Sequence, residues 1–130
     1  MALAVLALLL VAGLALRPNR DRAAGHSYPI PSAQDRILVE VLNGTARQGL
    51  ARVGTRLLRR EGLDVVFFGN ADQPTESTRV LLRRGERRTA ERVGSILGTG
   101  KVLSRPDTLL RLDVTVILGE DFRPPAEVHP

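Results

Sequence analysis

From residue 37 the apolar positions alternate: Ile37, Val39 and Val41 share one strand face, and Leu38, Glu40 and Leu42 share the other. The alternation stops at Asn43-Gly44. Leu50, Val53, Leu57 and Leu58 then recur at helical spacing, with Arg47, Arg52, Arg56, Arg59 and Arg60 off that stripe. Thr45 stands where an N-cap is wanted, and Gly62 where a left-handed residue closes the helix. Val65–Phe68 reads as a second strand, ended by Gly69-Asn70. Beyond a polar connection through Pro74, Thr78–Arg83 is a third strand, with Val80 and Leu82 inward and Arg79, Leu81 and Arg83 outward. A second helix is expected from about Glu86 to Leu97, carrying Ala90, Val93, Ile96 and Leu97 and terminated by Gly98. Lys101–Leu103 adds a short strand, and Leu112–Leu118 is the last, with Val114, Val116 and Leu118 on the core face.

The order is β-α-β-β-α-β with one short extra strand. This is a mixed α/β (α+β) two-layer sandwich of ferredoxin-like type, in which right-handed crossovers place both helices on one face of the sheet. The other face is then uncovered and carries Leu38, Glu40, Leu42, Arg79, Leu81, Arg83, Asp113, Thr115 and Ile117. It is too apolar for an ordinary solvated surface and too charged for a buried one, the character of a face that binds something. Gly49 and Gly54, read as lying inside the first helix, would let it approach the sheet closely.

Outside residues 35–121 the pattern changes. Met1–Leu16 is uncharged and apolar throughout, and is expected to be a single transmembrane helix. At ~1.5 Å per residue it spans about 24 Å, short of the roughly 30 Å hydrocarbon layer. Residues 17–34 hold Pro18, Pro29, Pro31 and Gly25 without hydrophobic period and read as an extended tether. Residues 122–130, with Pro124, Pro125 and Pro130, read as a disordered tail. Arg17, Arg20 and Arg22 directly after the span would, by the positive-inside rule, hold the domain in the cytoplasm, and a basic cluster upstream would reverse that orientation.

Composition narrows the chemistry. Cysteine is absent, so disulfides and thiolate metal sites are excluded. His26 and His129 fall in the tether and the tail, which leaves no imidazole base within the domain for a hydroxyl nucleophile. Glu40 and Asp113 can neighbour each other across strands, but an open sheet face lacks the enclosure that tunes a general acid. Glu120 and Asp121 end a strand, a place where acids more often meet solvent than a cation. No catalytic, cofactor-binding or metal residue is assigned, and the chain is read as non-enzymatic. The 19 basic residues, all Arg except Lys101, exceed the 14 acids and give a sequence pI near 11.1, a surface suited to polyanions. Aromatic residues are scarce at 3%, and the outward strand positions named above hold none, which disfavours base stacking and hence nucleic acid as the partner.

Six residues are the candidate ligand contacts: Asn43, Gly44 and Thr45, whose turn before a helix could present N–H groups to an anion, and Arg79, Arg83 and Thr115 on the open face. For the turn, a structural role is the favoured reading, with Gly44 in a conformation costly for other residues and Thr45 capping the helix.

Three ordered segments, VEVLNGTARQGLARVGTRLLRREGLDVVFFGNA (39–71), TRVLLRRGERRTAERVGSILG (78–98) and DVTVILGED (113–121), together resemble the C-terminal domain of the LytR/CpsA/Psr cell-envelope proteins. The most specific parts are V-E-V-L-N-G-T with the following G-L-A, and D-V-T-V-I-L-G-x-D. In that family the domain accompanies a catalytic module that transfers anionic polymers onto peptidoglycan, or occurs alone behind a membrane anchor. The present chain has no room for the catalytic module, so the resemblance implies no transferase activity. It implies a membrane-anchored module with its domain on the extracytoplasmic side, against the arginine flank at 17–22. The partners it implies are peptidoglycan, an anionic wall polymer or a wall-assembly protein. The alternative, prompted by charge alone, is a cytoplasm-facing nucleic-acid-binding or regulatory domain.

Overall fold

The computed structural model describes residues 35–109 and 111–128, so the expected anchor at 1–16 and tether at 17–34 lie outside the described residues. Seven elements follow in order: β1 (Leu38–Asn43), α1 (Leu50–Arg60), β2 (Asp64–Asn70), β3 (Arg79–Leu82), α2 (Arg87–Leu97), β4 (Lys101–Ser104) and β5 (Val114–Leu118). No helix among the described residues is long and apolar enough to cross a membrane.

The five strands form one sheet in the order β2-β1-β5-β3-β4. β1 runs parallel to both β2 and β5, β3 runs parallel to β4, and β3 and β5 are antiparallel. This is the expected mixed two-layer class with a different strand order. In a ferredoxin-like sheet another strand splits each β-α-β unit; here β1 and β2 are direct neighbours, as are β3 and β4. The short strand at 101–104 is the reason, because it gives β3 its own parallel partner and completes the second unit. β5 is left to join the two units. Val114, Val116 and Leu118 are fully buried, as a central strand requires.

Both helices lie on one face. Val39, Val41, Val65, Val80, Val114, Val116 and Leu118 from the sheet, Leu50, Val53, Leu57 and Leu58 from α1, and Ala90, Val93 and Leu97 from α2 make a single core. The α1 C-terminus closes as the sequence suggested. Gly62 takes φ 81° and its N–H donates to the Arg59 carbonyl, while the Leu63 N–H reaches back to the Leu58 carbonyl at 3.1 Å and its side chain is buried. The N-terminus differs from expectation. The helix starts after Gly49, which is left-handed at φ 78°, and no side chain caps it. Thr45 is therefore not the N-cap and Gly49 is not inside the helix. Gly54 is inside, and a Cβ there would stand 3.2 Å from Leu118 Cδ1 and 3.4 Å from Val41 Cγ1, so its absence does permit close helix–sheet packing.

Two further departures shape the surface. A bulge between Val39 and Glu40 in the β1–β2 register sets Val65 opposite Val39 but Phe67, not Val66, opposite Glu40. Residues 122–128 also pack on the domain, contrary to the reading of a disordered tail. Phe122 and Val128 are buried in the core, the Phe122 N–H bonding the Gly119 carbonyl and the Val128 N–H the Pro125 carbonyl, both at 3.1 Å.

Candidate functional site

The helix-free face of the sheet displays its side chains in rows fixed by strand register. One row runs from Phe67 on β2 through Glu40, Thr115 and Leu81 to Leu103 on β4. A second holds Gly69, Leu42, Ile117, Arg79 and Lys101, and a third runs from Leu38 past Asp113 toward Arg83. The polar members are fastened to one another. The Arg83 Nε donates to Thr115 Oγ1 at 3.0 Å, and that hydroxyl donates to Glu40 Oε1 at 2.8 Å. Arg83 Nη1 also reaches the Arg105 carbonyl, and Arg79 Nη2 donates to Thr75 Oγ1 at 3.1 Å. Asp113 accepts from the Leu38 N–H at 2.8 Å and pairs with Arg84 Nε at 2.9 Å, so Glu40 and Asp113 serve separate partners. Such ties hold the polar groups of the face in fixed positions, which lowers the entropy cost of binding a ligand there.

Phe67 completes the face, and alternation from the inward-facing Val65 hides it, because a regular strand would send Phe67 into the core. The extra residue at the bulge reverses this. Phe67 is 55% exposed and its ring lies over Gly69, where a Cβ would meet its edge at 3.1 Å. A flat aromatic surface therefore stands beside the Glu40–Thr115–Arg83 relay at one end of the row.

Of the six candidate residues, Arg79, Arg83 and Thr115 share this face, while Asn43, Gly44 and Thr45 sit apart at the C-terminal end of β1. In that turn the buried Asn43 Oδ1 accepts from the Thr45 N–H (3.0 Å) and hydroxyl (2.7 Å), and its Nδ2 donates to the Arg47 carbonyl at 2.7 Å. Thr45 Oγ1 accepts from the Arg47 N–H at 3.1 Å, and the Gly44 N–H bonds the Leu118 carbonyl at 2.9 Å. The N–H groups of Gly44, Thr45 and Arg47 are thus spent within the protein. Gly44 is not left-handed, contrary to expectation; a close approach demands it, since a Cβ would lie 2.6 Å from Thr75 Cγ2 and 2.9 Å from the Leu118 carbonyl oxygen.

Sequence reasoning missed Arg47, placed simply off the helical stripe. Its guanidinium donates to the carbonyls of Gly119 (3.3 Å), Glu120 (3.2 Å) and Phe122 (3.0 Å) and pairs with the Glu120 carboxylate at 3.5 Å, latching the first turn to the chain leaving β5. Asp121 makes the matching latch on the other side. Its Oδ1 accepts from the Thr78 hydroxyl (2.7 Å) and N–H (2.8 Å), and its Oδ2 accepts from the Thr99 hydroxyl at 3.3 Å. Partial burial raises the pKa of this carboxyl, but the bonds from Thr78 and Thr99 outweigh it and hold the group below its ordinary value. Glu120 and Asp121 thus have protein partners, and no group of three or more His, Cys, Asp or Glu among the described residues is placed to hold a metal ion.

The Arg83–Arg88 run is likewise divided among partners: Arg84 with Asp113, Arg87 with Glu91 and Arg88 with Glu86. On the helix side, a cleft of ≈ 420 Å³ lies between Leu57, Arg60, Arg92, Ile96 and Val128, with Arg92 already donating to the Glu61 carbonyl.

A comparison with curated proteins found no match. Among solved structures, the chain is similar to the solution structure of the C-terminal domain of RV0431 at 28% identity and a TM-score of 0.42, over 75% of this chain and 83% of that one. The family described as the LytR cell envelope-related transcriptional attenuator matches residues 36–122, which span the whole sheet from β1 to Phe122, and the chain belongs to that family.

Proposed function

We propose that this protein is a membrane-tethered, non-enzymatic module of the cell envelope that binds wall polymer through the open face of its sheet. The observation that carries the reading is that face: an exposed aromatic ring on Gly69 beside a fixed Glu40–Thr115–Arg83 relay, with Arg79 and Lys101 in the adjoining row. A ring offers a sugar an apolar platform, and prefixed acceptors and guanidinium groups match hydroxyls and anionic substituents. Residues 1–16 supply the anchor and the Pro-containing tether lets the domain reach the polymer.

Retention of purified residues 35–128 on peptidoglycan sacculi tests the binding surface. Phe67→Ala and the Arg79→Glu/Arg83→Glu pair should each lower retention without loss of cooperative melting; retention equal to wild type in both would remove the sheet-face reading. A reporter active only outside the cytoplasm, fused after Pro130, tests the orientation and should be active.

A second reading draws on the sequence pI near 11.1 and on the word attenuator in the family description. A cytoplasm-facing nucleic-acid binder would show affinity that falls steeply with salt, and its reporter fusion would be silent.

A further inference from the structure

β2 is an edge strand. It pairs with β1 alone, and its other side is unpaired in the sheet. The Ala71 N–H donates to the Asn43 carbonyl at 2.9 Å, so by alternation Gly69 and Phe67 turn their backbone groups toward β1 while Phe68 and Asn70 turn theirs outward. Those outward N–H and C=O groups are a template for another strand. Val66, Phe67 and Phe68 are 52%, 55% and 40% exposed, so the strand is apolar on both of its faces. Edges are usually blunted by charge, proline or a cover. Here Arg59 covers the lower part, its Nη2 donating to the Val65 carbonyl at 2.7 Å below the bulge, and leaves 66–70 open.

Charge indicates what would cover the rest. Arg52, Arg56 and Arg59 stand at i, i+4 and i+7 on α1, one stripe, and the Arg59 bond sets that stripe alongside β2. A second copy pairing β2 against β2 would bring two such stripes together across the dyad, like charge against like. The chain's own tether is basic at Arg17, Arg20 and Arg22, and Pro29 and Pro31 lack the N–H that a ladder needs.

We propose that the outer edge of β2 docks an extended segment of a partner protein whose acidic side chains meet the α1 arginines and whose apolar side chains meet Phe67, adding a sixth strand to the sheet. The edge shares Phe67 with the open face, but its backbone pairing at Phe68 and Asn70 and its charge contact on α1 lie outside that face, so peptide binding is read separately from wall-polymer binding.

The test uses the full chain in detergent and two synthetic peptides of about nine residues, long enough to span β2. One alternates Glu with Val and Thr; the other carries Lys in place of Glu. The Glu peptide should bind and slow hydrogen exchange at the Phe68 and Asn70 amides, and the Lys peptide should not. Phe68→Pro, tolerated at a sheet edge but lacking the outward N–H, should weaken binding at least about tenfold. Arg52→Glu/Arg56→Glu, both exposed on α1 and outside the core, should weaken it comparably. No binding, equal binding of the two peptides, or indifference to Phe68→Pro would overturn the proposal. So would polyphosphate protecting the same amides, which would mark a polyanion groove, or a dimer of the chain alone that Phe68→Pro dissolves.

Discussion

At the scale of single residues, the two motifs that carry the family resemblance are fasteners. Glu40 meets Thr115, Asn43 organises its turn, Gly44 admits Thr75 and the Leu118 carbonyl, and Asp121 holds Thr78 and Thr99. Gly44 is required by what stands over it and not by its dihedral angles, so size decides its tolerance. Gly44→Val must displace both neighbours and strain the Gly44–Leu118 and Thr75–Gly44 backbone bonds, at a cost of about 1–3 kcal/mol; an unchanged melting temperature would refute the crowding. Asp121 makes a pH-dependent contribution. Its folded pKa lies below the 3.8 of the free side chain, so the folded state binds fewer protons there and its stabilisation is complete only above that value. It is lost as pH falls through the folded pKa. Asp121→Asn should therefore melt below wild type at neutral pH, with the gap closing in acid. Parallel melting curves down to the acid limit would show that the carboxylate is not coupled to folding.

At the scale of elements, both helices and all five strands are legible in the hydrophobic pattern, because each turns apolar side chains toward the core, down to β4, where Val102 alone packs against it. What the pattern hides is whatever breaks period without breaking hydrophobicity. Val66 is the clearest case: Val65 to Phe68 are all apolar, so nothing marks which residue is the bulge, and the ring of the candidate face is lost with it. The start of α1 is hidden for a related reason, since Thr45 has the chemistry of a cap and uses it on a turn with Asn43 and Arg47. The outward placement of Arg79, Arg83 and Thr115 was readable from alternation, but their partners depend on β5 lying between β1 and β3, which local sequence does not encode. Deleting Val66 isolates the bulge. The register would become regular with Val65 still opposite Val39 and Phe67 still opposite Glu40, so the fold and the face should survive. The Arg59 bond to the Val65 carbonyl would be disturbed, and stability should drop by about 1 kcal/mol. A Phe67–Gly69 contact by NMR and a cooperative melt are the expected results; loss of either means that the bulge specifies the face.

At the scale of the whole molecule, two complete β-α-β units are joined by one strand, and the chain then has to be held after that strand ends. Arg47 from the first unit takes the carbonyls of Gly119, Glu120 and Phe122, while Thr78 and Thr99 from the second take Asp121. The segment after β5 is thus clasped from both sides, and it delivers Phe122 and Val128 into the core shared by the two helices. Composition obscured this, because the prolines and charges of 122–130 look like those of a solvated tail, and two well-spaced apolar residues are too few to form a period. Truncation separates the contributions. A chain ending at Val128 should melt cooperatively like the full domain. Ending at Arg123 removes the buried Val128 side chain, worth about 1.5–3 kcal/mol, and should lower the melting temperature while leaving a folded protein. Ending at Asp121 also removes the fully buried Phe122, on the order of 3–5 kcal/mol, together with a carbonyl that Arg47 binds. For a domain of this size, whose total stability is commonly about 5–15 kcal/mol, that loss should leave little cooperative unfolding at body temperature. Equal melting of the chains ending at Asp121 and Val128 would mean that the clasped segment only covers a fold stable without it.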